Sequence, residues 1–325
     1  MNEAVSRWRR QGPLVSVKAG HPWWSSHAQL PTVLALSDRL WRVYFAARNG
    51  ESRGRILAVD VDPTDDMRIV AEHFDPLLDR GPLGAFDHEG VCPSAVIVVD
   101  GQVRLYYIGI AVRRDVRMQP TIGLAVSDDG LNFQRAFAGP VLGTGSFDPY
   151  FTSAPTVLRG VEGYYMWYVG GTEWRDINGE ADAFYDLRVA RSTDGLSWDP
   201  RTQTALRADV MGAAGIGRPW ATEIGAGRRL WFCRRGADYR GPGEGAYRLY
   251  SMPIDEGGSL CQPIEPVVFE NPPGPEDFDS WMQAYACILP CGRDLVMLYN
   301  GNDFGRDGFG WARLSGGASG DEAHR

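Results

Sequence analysis

Val103-Arg104-Leu105-Tyr106-Tyr107-Ile108 reads as a β-strand, with β-branched and aromatic side chains set around an adjacent aromatic pair. The pair returns as Tyr44-Phe45, Trp167-Tyr168, Trp231-Phe232 and, with one ring lost, Leu298-Tyr299. The first members are separated by 62, 61, 64 and 67 residues along the chain. A single helix or hairpin is too short to set that period, so each copy marks a repeated supersecondary unit. Five such units suit a closed array of similar sheets with one axis, and that axis is the natural place for a functional site.

The flanks repeat as well. Around the second copy, Val91 to Val99 reads as a first strand, Asp100-Gly101 as a tight hairpin turn and Ile122 to Ser127 as a third strand. The third copy matches with Ala154 to Leu158, Tyr164 to Val169 and Leu187 to Ser192. Both third strands run into one turn pattern, Ser127-Asp128-Asp129-Gly130-Leu131-Asn132-Phe133 and Ser192-Thr193-Asp194-Gly195-Leu196-Ser197-Trp198. Glycine there supplies positive φ, Asp bonds its own backbone, and the last aromatic is expected to cap the sheet.

Pro31, Pro93, Pro155 and Pro219 recur in the first strands, where proline is tolerated at a strand start or facing a channel. The fifth unit has Tyr285 or Ala286 in that place. Helical periodicity is nearly absent, with one turn at most between Asp60 and Ala71. A β-sandwich or a β-helix would not carry this interval. The expected fold is all-β: one five-bladed β-propeller domain over 1–325, its mostly four-stranded antiparallel blades around a central pocket. The blades fall at about 25–75, 86–140, 148–205, 213–265 and 278–315, with a disordered tail over 316–325.

The net charge of −8 argues against a nucleic-acid partner, whose phosphates call for cationic surface. No apolar run approaches a membrane span, and Met1 to Arg10 is polar with no signal-peptide core after it. A cytoplasmic monomer or homodimer is expected. Lys18 is the only lysine, so the cationic groups are almost all arginine, whose planar forks suit carboxylate or phosphate. Cys92, Cys233, Cys261, Cys287 and Cys291 form no CxxC pair and read as reduced thiols.

Beyond the period, the chain resembles the five-bladed propellers of glycoside hydrolase families 43, 32, 68 and 130, most of all their uncharacterised glycosidase-like members. The likeness spans about residues 20–315 and rests on four segments. His27, Gln29 and Pro31 match an HxQxP pattern, and Phe86, Asp87, Gly90, Val91 and Pro93 an FDxxGVxP pattern. Gly215-Ile216-Gly217-Arg218-Pro219 matches GIxRP, and Tyr299-Asn300-Gly301-Asn302 opens a YNGNxFGxxGFGxA run ending at Ala312. The resemblance implies an axial sugar site with three carboxylates, and hydrolysis needs two flanking the glycosidic bond. Here the first-blade position reads His27-Ala28-Gln29 and the fourth-blade position Gly217-Arg218-Pro219, neither with an acid. Asp148 alone fits the third.

Chemistry must then come from other groups near the first strands. Asp87, His88 and Glu89 are the densest titratable cluster, and a raised pKa would suit Glu89 to acid–base work, with His88 sharing it and His27 facing it. The plain alternative is Asp87 capping a turn and His88 in solvent. Gln29, Arg48, Asp148, Ser153, Trp174, Arg218, Trp220, Arg235, Asp279, Trp281 and Asn300 are candidate binding residues. Arg218, with Arg48 and Arg234-Arg235, could clamp an anionic group; its bland role is a salt bridge to Asp87, Asp148 or Asp279. Trp23, Trp24, Trp174, Trp220 and Trp281 offer flat faces for sugar rings, although most such tryptophans pack. Asn300 and Asn302 suit positive-φ turn positions.

No spacing supports a metal site built from His27, His88 and Glu89, and no cofactor is called for; a structural calcium in the channel stays open. The expected partner is a small molecule, with or without an anionic group. Three functions remain: a sugar-acting enzyme with a substituted site, a biosynthetic enzyme performing elimination, cyclisation or isomerisation, and a non-catalytic carbohydrate-binding propeller.

Overall fold

In the computed structural model, which describes residues 7–18 and 20–318, nearly all regular structure is antiparallel strand. Strand β1 (Arg7–Ser16) pairs with the far end of the chain and is treated last. The first meander is β2 (Ser26–Ser37), β3 (Leu40–Arg48), β4 (Gly54–Asp62) and β5 (Arg68–Leu78). The second is β6 (Gly90–Val99), β7 (Gln102–Ala111), β8 (Gln119–Ser127) and the short β9 (Gln134–Arg135). The third is β10 (Thr152–Gly160), β11 (Gly163–Ile177), β12 (Glu180–Ser192) and β13 (Asp199–Leu206). The fourth is β14 (Gly215–Ile224), β15 (Gly227–Arg235), β16 (Arg248–Ile254) and β17 (Glu265–Pro266).

After β18 (Val268–Phe269) come β19 (Ala284–Cys291), β20 (Asp294–Asn300) and β21 (Gly308–Leu314). Their outer partner is β1, so the two ends of the chain close one sheet in the order β18-β1-β21-β20-β19. Arg10 on β1 locks this closure by reaching Asp279 with Nε at 2.8 Å and Nη2 at 2.5 Å. The first and second meanders touch edge to edge at Gly54 and Gly90, the third and fourth at Tyr185 and Gly215. The first strands β2, β6, β10, β14 and β19 each contact the next, and β19 returns to β2.

The turns behave as read. Asp100 and Gly101 both take positive φ, at 51° and 80°, as a two-residue hairpin turn requires. In Ser127–Phe133, Asp129 Oδ1 accepts from the Leu131 and Asn132 amides at 2.8 Å, and Gly130 stands at φ 70°. Asp194 and Gly195 repeat this arrangement. The closing aromatic packs against the preceding meander: Phe133 meets Tyr44 edge-on and Trp198 meets Tyr106.

The first member of the aromatic pair also holds the neighbour. The hydroxyls of Tyr44 and Tyr106 donate to the carbonyls of Gly130 and Gly195, at 2.7 and 2.6 Å.

Three expectations need correction. Asp60 to Ala71 is strand, turn and strand with no helical turn, because Asp62 Oδ1 accepts from the Thr64 amide and closes a tight connection. The recurring proline is displaced in the second meander. Four of the first strands share a bulge at an equivalent register position, at Leu30-Pro31, Ala154-Pro155, Arg218-Pro219 and Tyr285-Ala286, with positive φ at the first residue of each pair. A proline there leaves no orphan N–H where the ladder is interrupted. In β6 the bulged residue is Ser94, while Pro93 still pairs with Tyr107. Of the tail, the amides of Gly316 and Ala318 donate to Asp294 Oδ1 and Arg293 O in the β19–β20 turn region, and 319–325 lies outside the described residues.

Candidate active site

Asp87, Asp148 and Asp279 were all candidates for work on a ligand, and all three are instead buried in one repeated arrangement. Tyr107, Tyr168 and Tyr299 donate to them at 2.9, 2.9 and 2.6 Å, each tyrosine standing twenty residues after its acid. An arginine completes each set: Arg135 Nε at 2.7 Å, Arg188 Nη1 at 2.8 Å and Arg10. The acids are at most 2% exposed. A carboxylate that must leave water finds a phenol and a guanidinium, so each set ties strands of a single sheet to one another. Burial pushes the Asp148 carboxyl up while Tyr168 and Arg188 pull it down.

Arg218 pairs with none of these acids and spends its guanidinium on the chain itself. It is 1% exposed and crosses the ring, donating to Pro31 O at 2.8 Å and Ser94 O at 2.6 Å. Ser94 in turn donates to Pro155 O at 2.8 Å, so groups from four first strands are knotted at the axis. Burial draws the guanidinium down to about 10. Arg235 is equally buried; it donates to Gly236 O and Ala183 O and, through Nε, to the Tyr185 hydroxyl at 3.1 Å. Arg234 holds Met211 O and Gly212 O.

Asn300 and Asn302 act through their side chains rather than their φ, Asn300 on β2 and Asn302 by accepting from the Trp281 and Met282 amides. Asn300 accepts from Leu30 N and donates to Ala28 O, whereas positive φ falls on Asp303 and Phe304. Trp220 donates to Ile288 O, Trp24 to His27 O, and Trp174 packs on Phe151. Trp23 lies under Arg55, while Ser153 and Trp281 are half-buried. The thiols of Cys92, Cys233 and Cys287 are buried, which pushes them up to about 11, 12 and 12.

What remains lies where the first strands begin. Glu89, just ahead of β6, meets His88 Nε2 at 2.7 Å and Arg53 Nε at 3.1 Å, with its side chain 22% exposed. Arg53 is a partner that sequence reasoning missed. Among the described residues no group of three or more His, Cys, Asp or Glu side chains gathers as a metal cluster.

At the start of β2, His27 bonds Ser26 Oγ through Nδ1 at 2.8 Å; no contact joins it to Glu89 or His88 among the described residues. Burial first, then the charges of Arg48 and Arg306, holds its imidazole down to about 4. Arg48 donates twice to Gln29 Oε1, at 3.0 and 2.7 Å. Over the start of β14 lies Tyr185, hydrogen-bonded to Tyr247 at 2.7 Å. A Cβ on Gly215 would sit 2.4 Å from its ring, so the glycines of the GIxRP segment make room for a phenol. Those two glycines were the available signal for Tyr185, but they do not say which side chain fills the space.

No family model matches the sequence. Over 310 residues, 94% of this chain and 99% of the relative, it is 30% identical to "Uncharacterized protein Rv1502" of Mycobacterium tuberculosis (strain ATCC 25618 / H37Rv). The chain belongs to that family. Among solved structures it is similar to one described as "The GH130 family of mannoside phosphorylases contains glycoside hydrolases that target beta-1,2 mannosidic linkages in Candida mannan". The TM-score is 0.69 at 14% identity, over 97% of this chain and 95% of that one. It is also similar to the Bombyx mori GH32 beta-fructofuranosidase BmSUC1, with TM-score 0.60 at 13% identity over 90% of this chain and 62% of that one. The chain therefore has the β-propeller fold of the glycoside hydrolase-like proteins. Among the described residues no helix is long and apolar enough to cross a membrane.

Proposed function

We propose that the five meanders are five blades around one axis, and that the chain is an enzyme acting on a sugar or sugar-like small molecule at the mouth of that axis. The closed ring of contacts among the first strands supports the count. The single observation carrying the enzymatic reading is the Glu89–His88 pair, 2.7 Å apart and part-exposed at the start of a first strand. At the starts of the first strands it is the acid–base couple left once Asp87, Asp148 and Asp279 are bound up in their Tyr–Arg sets. The other His–carboxylate contact, His73 with Asp60, lies between β4 and β5. A lone carboxylate with an imidazole suits proton transfer better than the paired-carboxylate route of ordinary glycosidases.

Purified protein assayed against a panel of glycosides and free acidic and neutral sugars tests this. Glu89→Gln is expected to lower turnover by roughly 100-fold or more, the scale of general acid–base catalysis, with its melting temperature kept. Full turnover in Glu89→Gln would remove the assignment. Ligand binding with no turnover in the wild type would replace the enzyme with a carbohydrate-binding propeller.

A further inference from the structure

The arginines near the ring separate by what they hold. Arg218 and Arg235 are engaged by backbone carbonyls and a phenol, and Arg53 by Glu51 and Glu89. Arg48 differs from all of these. Its Nε and Nη2 both donate to the single amide oxygen of Gln29, which is 5% exposed, and no described carboxylate lies within ion-pair distance. That contact covers one side of the guanidinium and leaves the Nη1/Nη2 end free to donate two parallel hydrogen bonds.

The choice of an amide is informative. A glutamate at position 29 would orient the fork and neutralise it; Gln29 orients it and leaves the charge in place. Arg48 also acts electrostatically on His27 of β2 and on Cys92 of β6, so its charge is felt on both neighbouring first strands. Arg306 adds a second cation near His27 from the β20–β21 connection, compensated by Asp303 and Asp307, so Arg48 carries the uncompensated charge. The mouth at the first blade is thus cationic in a chain of net charge −8.

We propose that Arg48, oriented by Gln29, receives an oxyanion carried by the small-molecule ligand, a carboxylate or a phosphate ester. The ligand class becomes an acidic sugar or a sugar phosphate; this rests on the mouth being the sugar site of the preceding reading. Calorimetric titration of the full chain with D-glucuronate, D-glucose 6-phosphate, inorganic phosphate and D-glucose tests it, on the wild type, Arg48→Gln and Gln29→Glu. Glucuronate or glucose 6-phosphate is expected to bind the wild type roughly tenfold or more tighter than glucose, as one charged hydrogen-bonded contact allows. Arg48→Gln loses that preference, and Gln29→Glu loses it too because the new carboxylate takes up the charge, while both keep the wild-type melting temperature.

Which of the two acidic sugars is preferred identifies the oxyanion. Glucose bound as tightly as either one, anion affinity within about twofold of wild type in both variants, or no Arg48-dependent binding of any anion, overturns the proposal. Glucose binding without charge preference would do so while leaving the sugar reading intact. Arg48-dependent binding of inorganic phosphate without gain from either sugar would keep the oxyanion site and remove the sugar reading.

Discussion

Asp87, Asp148 and Asp279 each stand twenty residues ahead of a buried tyrosine that donates to them, and this spacing was present in the sequence. The matching positions before Phe45 and Phe232 hold Ser25 and Gly212, so acid and phenol occur together or not at all. Twenty residues corresponds to no helix or strand period, and only three copies laid on one another would bring it out. His27 presents the opposite case. Its place in an HxQxP segment was legible, but its neutral state depends on burial beside Arg48 and Arg306. An unfolded histidine takes up its proton near pH 6.5 and the folded one near 4, so between those values the unfolded chain binds more protons. Stability should therefore fall as pH drops from about 6.5 to 4, by about 1–2 kcal/mol from this group once solvent screening of the part-exposed ring is allowed for. Urea unfolding across that range should show His27→Gln losing part of the slope; an unchanged slope would mean the ring is already charged in the fold.

At the level of elements, the aromatic pairs are more specific than packing rings. The first ring of a pair reaches the turn of the next blade, as Tyr44 does at Gly130 and Tyr106 at Gly195, and the second ring, where it is tyrosine, reaches its own blade's acid. Arg42 and Arg104, two residues before those first rings, donate to Asp129 O and Asp194 O in the same turns. The repeat was readable because strand, turn and aromatic are local signals. Their partners lie one blade away, which no local pattern reports. Tyr107→Phe, Tyr168→Phe and Tyr299→Phe should each cost about 1–3 kcal/mol in chemical denaturation, since a buried carboxylate loses a donor. Phe45→Tyr and Phe232→Tyr should also destabilise, by leaving a buried hydroxyl without an acid. Changes below about 0.5 kcal/mol in the first group would mean that the phenols carry no part of the stability of their own blades.

For the molecule as a whole, strand β1 is the element that sequence reasoning passed over. It reads Arg7-Trp8-Arg9-Arg10-Gln11-Gly12-Pro13-Leu14-Val15-Ser16, and only Trp8 and Val15 are buried, so its apolar signal is thin. Yet it completes the last sheet and brings Arg10 to Asp279. The candidate site was legible in part for a similar reason. The missing acids at His27-Ala28-Gln29 and Gly217-Arg218-Pro219 could be read directly, whereas the roles of Arg218 as an axial tie and of Arg53 as the partner of Glu89 arise only when blades meet. A crystal structure with a bound acidic sugar is the most direct measurement of the whole arrangement. The ligand is expected at the mouth of the axis, with its charged group on the free end of Arg48 and a hydroxyl or ring oxygen within hydrogen-bond reach of Glu89. Ligand density in the hollow beside Glu72, His73 and Phe133 on the outer edge of the first two blades, with the mouth unoccupied, would contradict it.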